Sequence, residues 1–362
     1  MIEGHGGDIY RMARVLNCSP SQIVDMSSNV SPLGMPPGLE DYLRQGLREL
    51  ISLPEVDSEE LRSNFANKWN ISENQVVVGN GTTEFIYILP VALGIKKALI
   101  VGPTYADYAD ACAVFNVTYS FYLALEENDF KPNIDHVELS LRGVDTVFIC
   151  NPNNPTGHLI PGNTLKELCE DNPEKIFIVD ESYLPFVVDG QNETLINKAL
   201  KNVVVLRSFS KIFGIPGLRL GFLSASPDII QKIGRHKRPW NVNRLAQLAG
   251  IFLLGQDQFI KDVGHFTKKE RTGFLKQLRD VTGLRPFSGV TNFILFKLVG
   301  RLKAADVCKR LAQNRILIRD CSNFYGLSDR FIRIALKTQE ENNICIQRLR
   351  DILSTGNEVL SL

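Results

Sequence analysis

Val203-Val204-Val205-Leu206-Arg207-Ser208-Phe209-Ser210-Lys211-Ile212-Phe213-Gly214-Ile215-Pro216-Gly217-Leu218-Arg219-Leu220-Gly221 opens as an apolar, β-branched run and passes directly into hydroxyls, a lysine, glycines and an arginine. No polar residue alternates through Val203 to Leu206, so the run reads as a strand covered on both faces. A lone lysine after a strand is ordinarily solvated. Lys211 is flanked by apolar residues, and an amine held partly away from water has a lowered pKa and becomes a usable nucleophile.

Four other runs repeat the first half of this pattern: Val76-Val77-Val78, Ala98-Leu99-Ile100-Val101, Val147-Phe148-Ile149-Cys150 and Ile176-Phe177-Ile178-Val179. Between them, stretches such as Thr82 to Leu93 and Ala106 to Val114 have helical length and spacing. Strands alternating with helices predict an α/β fold, with a mostly parallel sheet in an α/β/α sandwich. From Phe266 the pattern changes. Phe266 to Val281 reads as a charged amphipathic helix, followed by a strand at Asn292 to Leu298, a helix at Ala304 to Asn314, strands at Ile316 to Arg319 and Arg330 to Leu336, and a helix at Gln339 to Ser354. This predicts a smaller α+β domain over 266–362, after a large domain over 46–265. The Gly, Ser and Pro clusters of residues 1–45 predict a segment that wraps over another part of the molecule.

Composition narrows the functions. The 362 residues carry 41 Lys and Arg against 40 Asp and Glu, a net charge of +1 with no long run of one sign, which argues against a nucleic-acid or anionic-membrane partner. The seven cysteines are scattered, with no C-x-x-C pair and no histidine cluster beside them. That pattern predicts reduced thiols in a cytoplasmic protein and no metal site. The start, Met1 to Asp8, lacks the basic and apolar parts of a secretory signal, and no apolar stretch approaches the ~20 residues needed to span a bilayer.

Three more stretches follow strands and carry chemistry. Gly79-Asn80-Gly81-Thr82-Thr83-Glu84 is a glycine-rich turn opening a helix, where free N–H groups and the dipole favour a phosphate; alone it is equally a simple helix cap. It lacks the third glycine of a dinucleotide fingerprint and the Gly-Lys-Ser/Thr of a P-loop, which argues against a nucleotide-binding protein. Asn151-Pro152-Asn153-Asn154-Pro155-Thr156-Gly157 is either a plain turn or a ligand loop at the carboxyl end of a parallel strand. Asp180-Glu181-Ser182-Tyr183 offers a carboxylate that is either a helix cap or a buried partner for a cation. With Lys211, the four stretches can converge on one rim of one sheet. Together they offer a phosphate cradle, an amide, a carboxylate and a nucleophilic amine, the parts that a pyridoxal-5′-phosphate (PLP) site requires.

The Ser208-to-Gly221 stretch, with Asn151 to Gly157 and Asp180 to Tyr183 upstream, resembles the fold type I PLP-dependent aminotransferases (class I/II) over almost the whole chain. The resemblance implies that Lys211 holds the cofactor as an imine, that Asp180 pairs with the pyridinium nitrogen, and that Asn154 and Tyr183 bond the ring 3′-oxygen. It implies that Tyr105 stacks on the ring and that Gly81, Thr82, Ser208, Ser210 and Arg219 hold the cofactor phosphate. Arg333 is implied as the clamp for a substrate α-carboxylate. Within the family, His5-Gly6-Gly7-Asp8-Ile9, Asp25 to Pro36, Pro239 to Asn243 and Arg315 to Cys321 resemble the histidinol-phosphate aminotransferase branch, and most of all its threonine-phosphate decarboxylases of cobalamin biosynthesis. That likeness implies a small phosphorylated, amino-acid-like substrate, with His5 and Arg319 at its phosphate, Gly34 near its carboxylate, the N-terminal segment over the site, and a homodimer. O-phospho-L-threonine decarboxylation is the expected reaction. Histidinol-phosphate aminotransferase and O-phospho-L-serine decarboxylase are the alternatives. A PLP-sensing regulator would need a basic DNA-binding module for which this chain has no spare length. The chain departs from its relatives at Ser52-Leu53-Pro54, where they carry Arg-Tyr-Pro with a tyrosine that reaches the neighbouring subunit's cofactor phosphate.

Overall fold

The computed structural model describes residues 6–357. Its strands are β1 (Val24–Asp25), β2 (Val76–Gly79), β3 (Lys97–Gly102), β4 (Thr118–Leu123), β5 (Thr146–Cys150), β6 (Ile176–Asp180), β7 (Val203–Ser208), β8 (Gly221–Ser224), β9 (Leu284–Pro286), β10 (Phe293–Leu298), β11 (Ile316–Leu317), β12 (Arg319–Asp320) and β13 (Phe331–Ala335). Seven of them form one sheet in the order β2-β8-β7-β6-β5-β3-β4. Only β8 runs against its neighbours; the other pairings are parallel. All five expected strands are present. β5 and β7 are buried along their whole length, as continuous apolar runs between helical layers should be. Two strands of this sheet lie outside the expected runs. β4 is an edge strand whose Thr-Tyr-Ser-Phe-Tyr-Leu sequence faces partly to solvent, and β8 is a four-residue strand that emerges from the Lys211 loop.

The register brings the functional stretches to one rim. Cys150 pairs with Asp180, Asp180 with Leu206, Ser208 with Gly221, and Gly221 with Gly79. β8 approaches so closely that a Cβ at Gly221 would lie 2.7 Å from the Thr82 backbone nitrogen, so only glycine allows the contact.

A second sheet, β12-β13-β10-β9, is antiparallel, and β1 pairs with β11 alone in parallel. The single strand expected at Ile316 to Arg319 is two, because the chain changes partner at Ile318: Leu317 pairs with Asp25 and Arg319 with Arg333. The helix expected from Phe266 starts at Asp257 and runs to Gln277, across the expected division between residues 265 and 266. Phe85, Phe148, Phe177 and Phe222 belong to the core around the large sheet. Phe274, Phe296, Ile332, Ile346 and Met26 belong to a second core around the smaller one. Met26 joins the two-stranded ribbon to the four-stranded sheet, since its N–H donates to the Leu317 carbonyl and its own carbonyl accepts from Ala335. No helix among the described residues is long and apolar enough to cross a membrane.

Candidate active site

Thr82, Tyr105, Asn154, Asp180, Tyr183, Ser208, Ser210, Lys211, Arg219, Arg319 and Arg333 line one cavity of about 260 Å³. Gly81 and Gly34 are not among the lining residues; Gly81 adjoins Arg219, and Gly34 packs against Gly214. His5 is outside the described residues; Gly6 is among the residues that line the cavity.

Asp180 ends β6 and is buried. Tyr108 O–H donates to its Oδ2 at 2.9 Å and the Ser182 N–H donates to its Oδ1 at 2.9 Å. Burial nevertheless raises its pKa, against the hydrogen bonds from Ser182 and Tyr108 and the charge of Arg207. A carboxylate in that condition gains from a cation placed over it. Its neighbour Glu181 is already paired, with Arg207 at 2.6 Å and with the Thr194 hydroxyl at 2.6 Å, in a fully buried cluster. The side chain of Lys211 opens on the cavity. Burial, with the charges of Arg219 and Arg333, lowers its pKa to about 8. Tyr183 accepts from Asn29 Nδ2 at 3.0 Å, and burial pushes its phenol up to about 12, opposed by the charge of Arg333. Tyr105 meets Tyr108 edge-on at 5.8 Å between ring centroids.

The phosphate end rests on the helix Thr82–Ala92. Its N-cap is Gly81, at φ +81°, with no side chain capping the first N–H groups, and a Cβ there would lie 2.5 Å from Arg219 Nη2. Bare N–H groups, the positive end of the dipole and a guanidinium therefore meet at one point. Ser210 is buried and its hydroxyl has no partner among the described residues, an unmet need that an anionic oxygen would satisfy.

The other wall comes from the small sheet. Arg333 is buried on β13, where its Nη1 donates to Asn154 Oδ1, its Nη2 donates to the Ser27 carbonyl at 2.5 Å, and its guanidinium lies 5.3 Å from the Phe293 ring centroid. Arg319 faces it across the strand pair, holding Asn323 Oδ1 at 2.6 Å and lying 5.1 Å from the Phe324 ring centroid. Burial lowers its pKa. Ser27, Ser28, Asn29, Tyr108 and Phe324 also line the cavity and were not assigned parts from the sequence. Tyr108 had a signal, since it stands in the first turn of the helix Asp107–Val114 that opens just after Tyr105; the others are joined to the site only through its folded form.

The family model for aminotransferase class I and II matches residues 22–349. The chain belongs to this family. Its cofactor is PLP, and the bare helix terminus, the orphaned Ser210 hydroxyl, the amine of Lys211 and the uncompensated Asp180 fit that group. The chain is 32% identical to the threonine-phosphate decarboxylase of Salmonella typhimurium, over 97% of this chain and 96% of that one. It is 30% identical to the adenosylcobalamin biosynthesis bifunctional protein CobDQ of Leptospira interrogans over 96% of this chain, which spans only 41% of that longer protein. Among solved structures, L-threonine-O-3-phosphate decarboxylase from Porphyromonas gingivalis is 30% identical with a TM-score of 0.82, and histidinol-phosphate aminotransferase from Clostridium acetobutylicum is 29% identical with a TM-score of 0.85; each aligns over 92% of this chain and 100% of the other.

Proposed function

We propose that this enzyme decarboxylates O-phospho-L-threonine to 1-amino-2-propanol O-phosphate, for the side chain of cobalamin. The observation that carries the reading is the direct register pairing of Arg319 with Arg333 on one cavity wall, beside the Lys211 amine. Two adjacent guanidiniums suit a small substrate with two anionic groups, a carboxylate and a phosphate. The full-length likeness to threonine-phosphate decarboxylases supports the same substrate.

The cofactor, when bound, supplies an electron sink for the pair left when a bond at the substrate Cα breaks. Lys211 Nζ would hold it. Asp180 would keep the pyridinium proton in place, and Asn154 and Tyr183 would bond the 3′-oxygen. Tyr105 would cover the ring. Gly81 and Thr82 N–H, Ser208, Ser210 and Arg219 would hold the phosphate. Arg333 grips the substrate carboxylate, and Arg319 grips the substrate phosphate. Held at both ends, the substrate would point its Cα–carboxylate bond toward that sink, so that CO₂ is the group lost; the substrate amine would by then have displaced Lys211, and the freed Lys211 Nζ would return a proton to Cα. If the Cα–H bond were oriented there instead, Lys211 Nζ would remove that proton and amino transfer would follow. The likeness to histidinol-phosphate aminotransferases supports that as the second reading. An exposed apolar strip, with Ile51 93% and Leu53 73% exposed beside Leu47, Leu50 and Val56, supports a homodimer.

The test is CO₂ release from O-phospho-L-threonine by the PLP-loaded enzyme, with L-histidinol phosphate plus 2-oxoglutarate in parallel. CO₂ without need of a keto acid is expected; O-phospho-L-serine, run beside it, reports the side-chain preference. Glutamate formation without CO₂ would sink the decarboxylase and leave the aminotransferase.

A further inference from the structure

We infer that Asp25 is the positioning residue for Arg333: its carboxylate folds the Ser27–Ser28 turn so that the Ser27 carbonyl fixes the guanidinium and the Ser27 hydroxyl anchors the N-terminal segment. Four donors converge on this one side chain. Oδ1 accepts from the Ser27 N–H at 2.9 Å, the Ser27 hydroxyl at 2.6 Å and the Ser28 N–H at 3.2 Å, and Oδ2 accepts from the Ser28 hydroxyl at 2.5 Å. Burial would raise its pKa, yet the hydroxyls of Ser27 and Ser28 and the charge of Lys337 bring it below the ordinary value, so it is ionised when it accepts them.

The turn has two outputs. The Ser27 carbonyl accepts from Arg333 Nη2, and Arg333 Nη1 donates to Asn154 Oδ1. The Ser27 hydroxyl accepts from the Gly7 N–H at 2.8 Å, and Gly6 is pressed so close that a Cβ on it would lie 2.4 Å from the Ser27 carbonyl oxygen. Asp25 is itself fixed by pairing with Leu317, two residues before Arg319. Asp25 thus joins, through its carboxylate, the Arg333 guanidinium and the Gly6–Gly7 segment and, through its backbone, the strand leading to Arg319. Without it, Arg333 keeps its charge and its Asn154 contact but loses a fixed direction, and bidentate grip on a carboxylate depends on direction.

The inference rests on the reading that Arg333 takes the substrate carboxylate, and the test separates the two. Binding of a carboxylate ligand and its decarboxylated twin is followed through the cofactor absorbance of the holoenzyme, in wild type, Asp25→Ala, Asp25→Asn and Arg333→Lys. The pair is O-phospho-L-threonine and 1-amino-2-propanol O-phosphate. If the CO₂ assay has favoured amino transfer, the pair is L-glutamate and 4-aminobutyrate. Asp25→Ala is expected to weaken the carboxylate ligand by roughly tenfold or more and its twin by less than about twofold, with Asp25→Asn in between. Arg333→Lys should show the same selectivity. Unchanged discrimination in both Asp25 variants, with loss in Arg333→Lys, would overturn the role of Asp25 alone. Equal weakening of both ligands in Arg333→Lys would overturn the reading of Arg333 and the inference with it. Should Asp25→Ala fail to fold, Asp25→Asn decides, because it keeps the size of the side chain while removing its charge and replacing the oxygen that accepts from the Ser28 hydroxyl with a donor.

Discussion

The two walls of the cavity are built on different principles. The cofactor wall consists of strand–turn units, in which Asp180, Ser208, Ser210 and Lys211 stand at or just past the strands that position them, and Asp180 takes one of its hydrogen bonds from Ser182, two residues on. The substrate wall is assembled from afar. The partners of Arg333 lie 179 and 306 positions away in sequence, and Asn29 reaches Tyr183 over 154. The placement of the first wall is set by the sheet itself. The second depends on how short segments meet, so it can change while the fold persists. This accounts for a chain that resembles a decarboxylase and an aminotransferase about equally in shape.

The sharpest way to break the comparison is at Lys211. Lys211→Ala should lower turnover by at least about a thousandfold, measured with saturating cofactor. Because the pKa of Lys211 is lowered to about 8, its neutral form is available at lower pH than for an ordinary lysine. In the apoprotein, labelling of Lys211 by an amine-directed reagent, read by peptide mass, should rise with pH around a midpoint near 8. A midpoint near the ordinary 10.5 would mean that burial and the arginine charges do not act on it.

Adjacent carboxylates at the end of β6 give the next largest effect. Asp180→Asn should cost roughly a hundred- to a thousandfold in turnover, since a buried cation on the cofactor loses its partner. In the apoprotein it should leave the Tm nearly unchanged, because burial already disfavours the Asp180 charge. Glu181→Ala does the reverse to the fold: it leaves Arg207 buried without its carboxylate and should cost about 3 kcal/mol of stability, seen as a lowered Tm.

The sequence disclosed the cofactor wall because its logic is local. A continuous apolar run followed by polar residues says both that a strand is buried and where it stops, so the convergence of Asn154, Asp180 and Lys211 could be read from four separate stretches. Arg319 and Arg333 came from resemblance and not from pattern, since an arginine within a short strand has no local mark of its role. Asp25, Ser27 and Ser28 were visible as residues but not as a turn that holds an arginine, because their meaning appears only when β13 lies beside them. β4 escaped notice because its first three residues are exposed and its last three half-buried, so the edge strand has neither a continuous apolar run nor clean alternation.

Arg319 tests the substrate wall without touching the cofactor. Arg319→Ala should raise the KM for the phosphorylated substrate roughly ten- to a hundredfold while leaving cofactor absorbance and affinity unchanged. Equal losses in KM for O-phospho-L-threonine and in cofactor affinity would mean that the two walls are one unit and that the contrast drawn between them fails.

The smallest effect is expected at Leu53, where the relatives' tyrosine is absent. Leu53 is 73% exposed in the strip that the homodimer reading places between subunits. If a second copy brings this position to the cofactor phosphate, Leu53→Tyr adds one hydrogen bond to an anion already held by Ser210, Arg219 and the helix terminus. One more neutral donor in a satisfied cluster contributes only about 1 kcal/mol, so PLP dissociation from the holoenzyme should slow by a few-fold, with little change in kcat. An unchanged rate in a protein that sediments as a dimer would mean that position 53 does not reach the phosphate, and that the cofactor wall of this enzyme is complete within one chain.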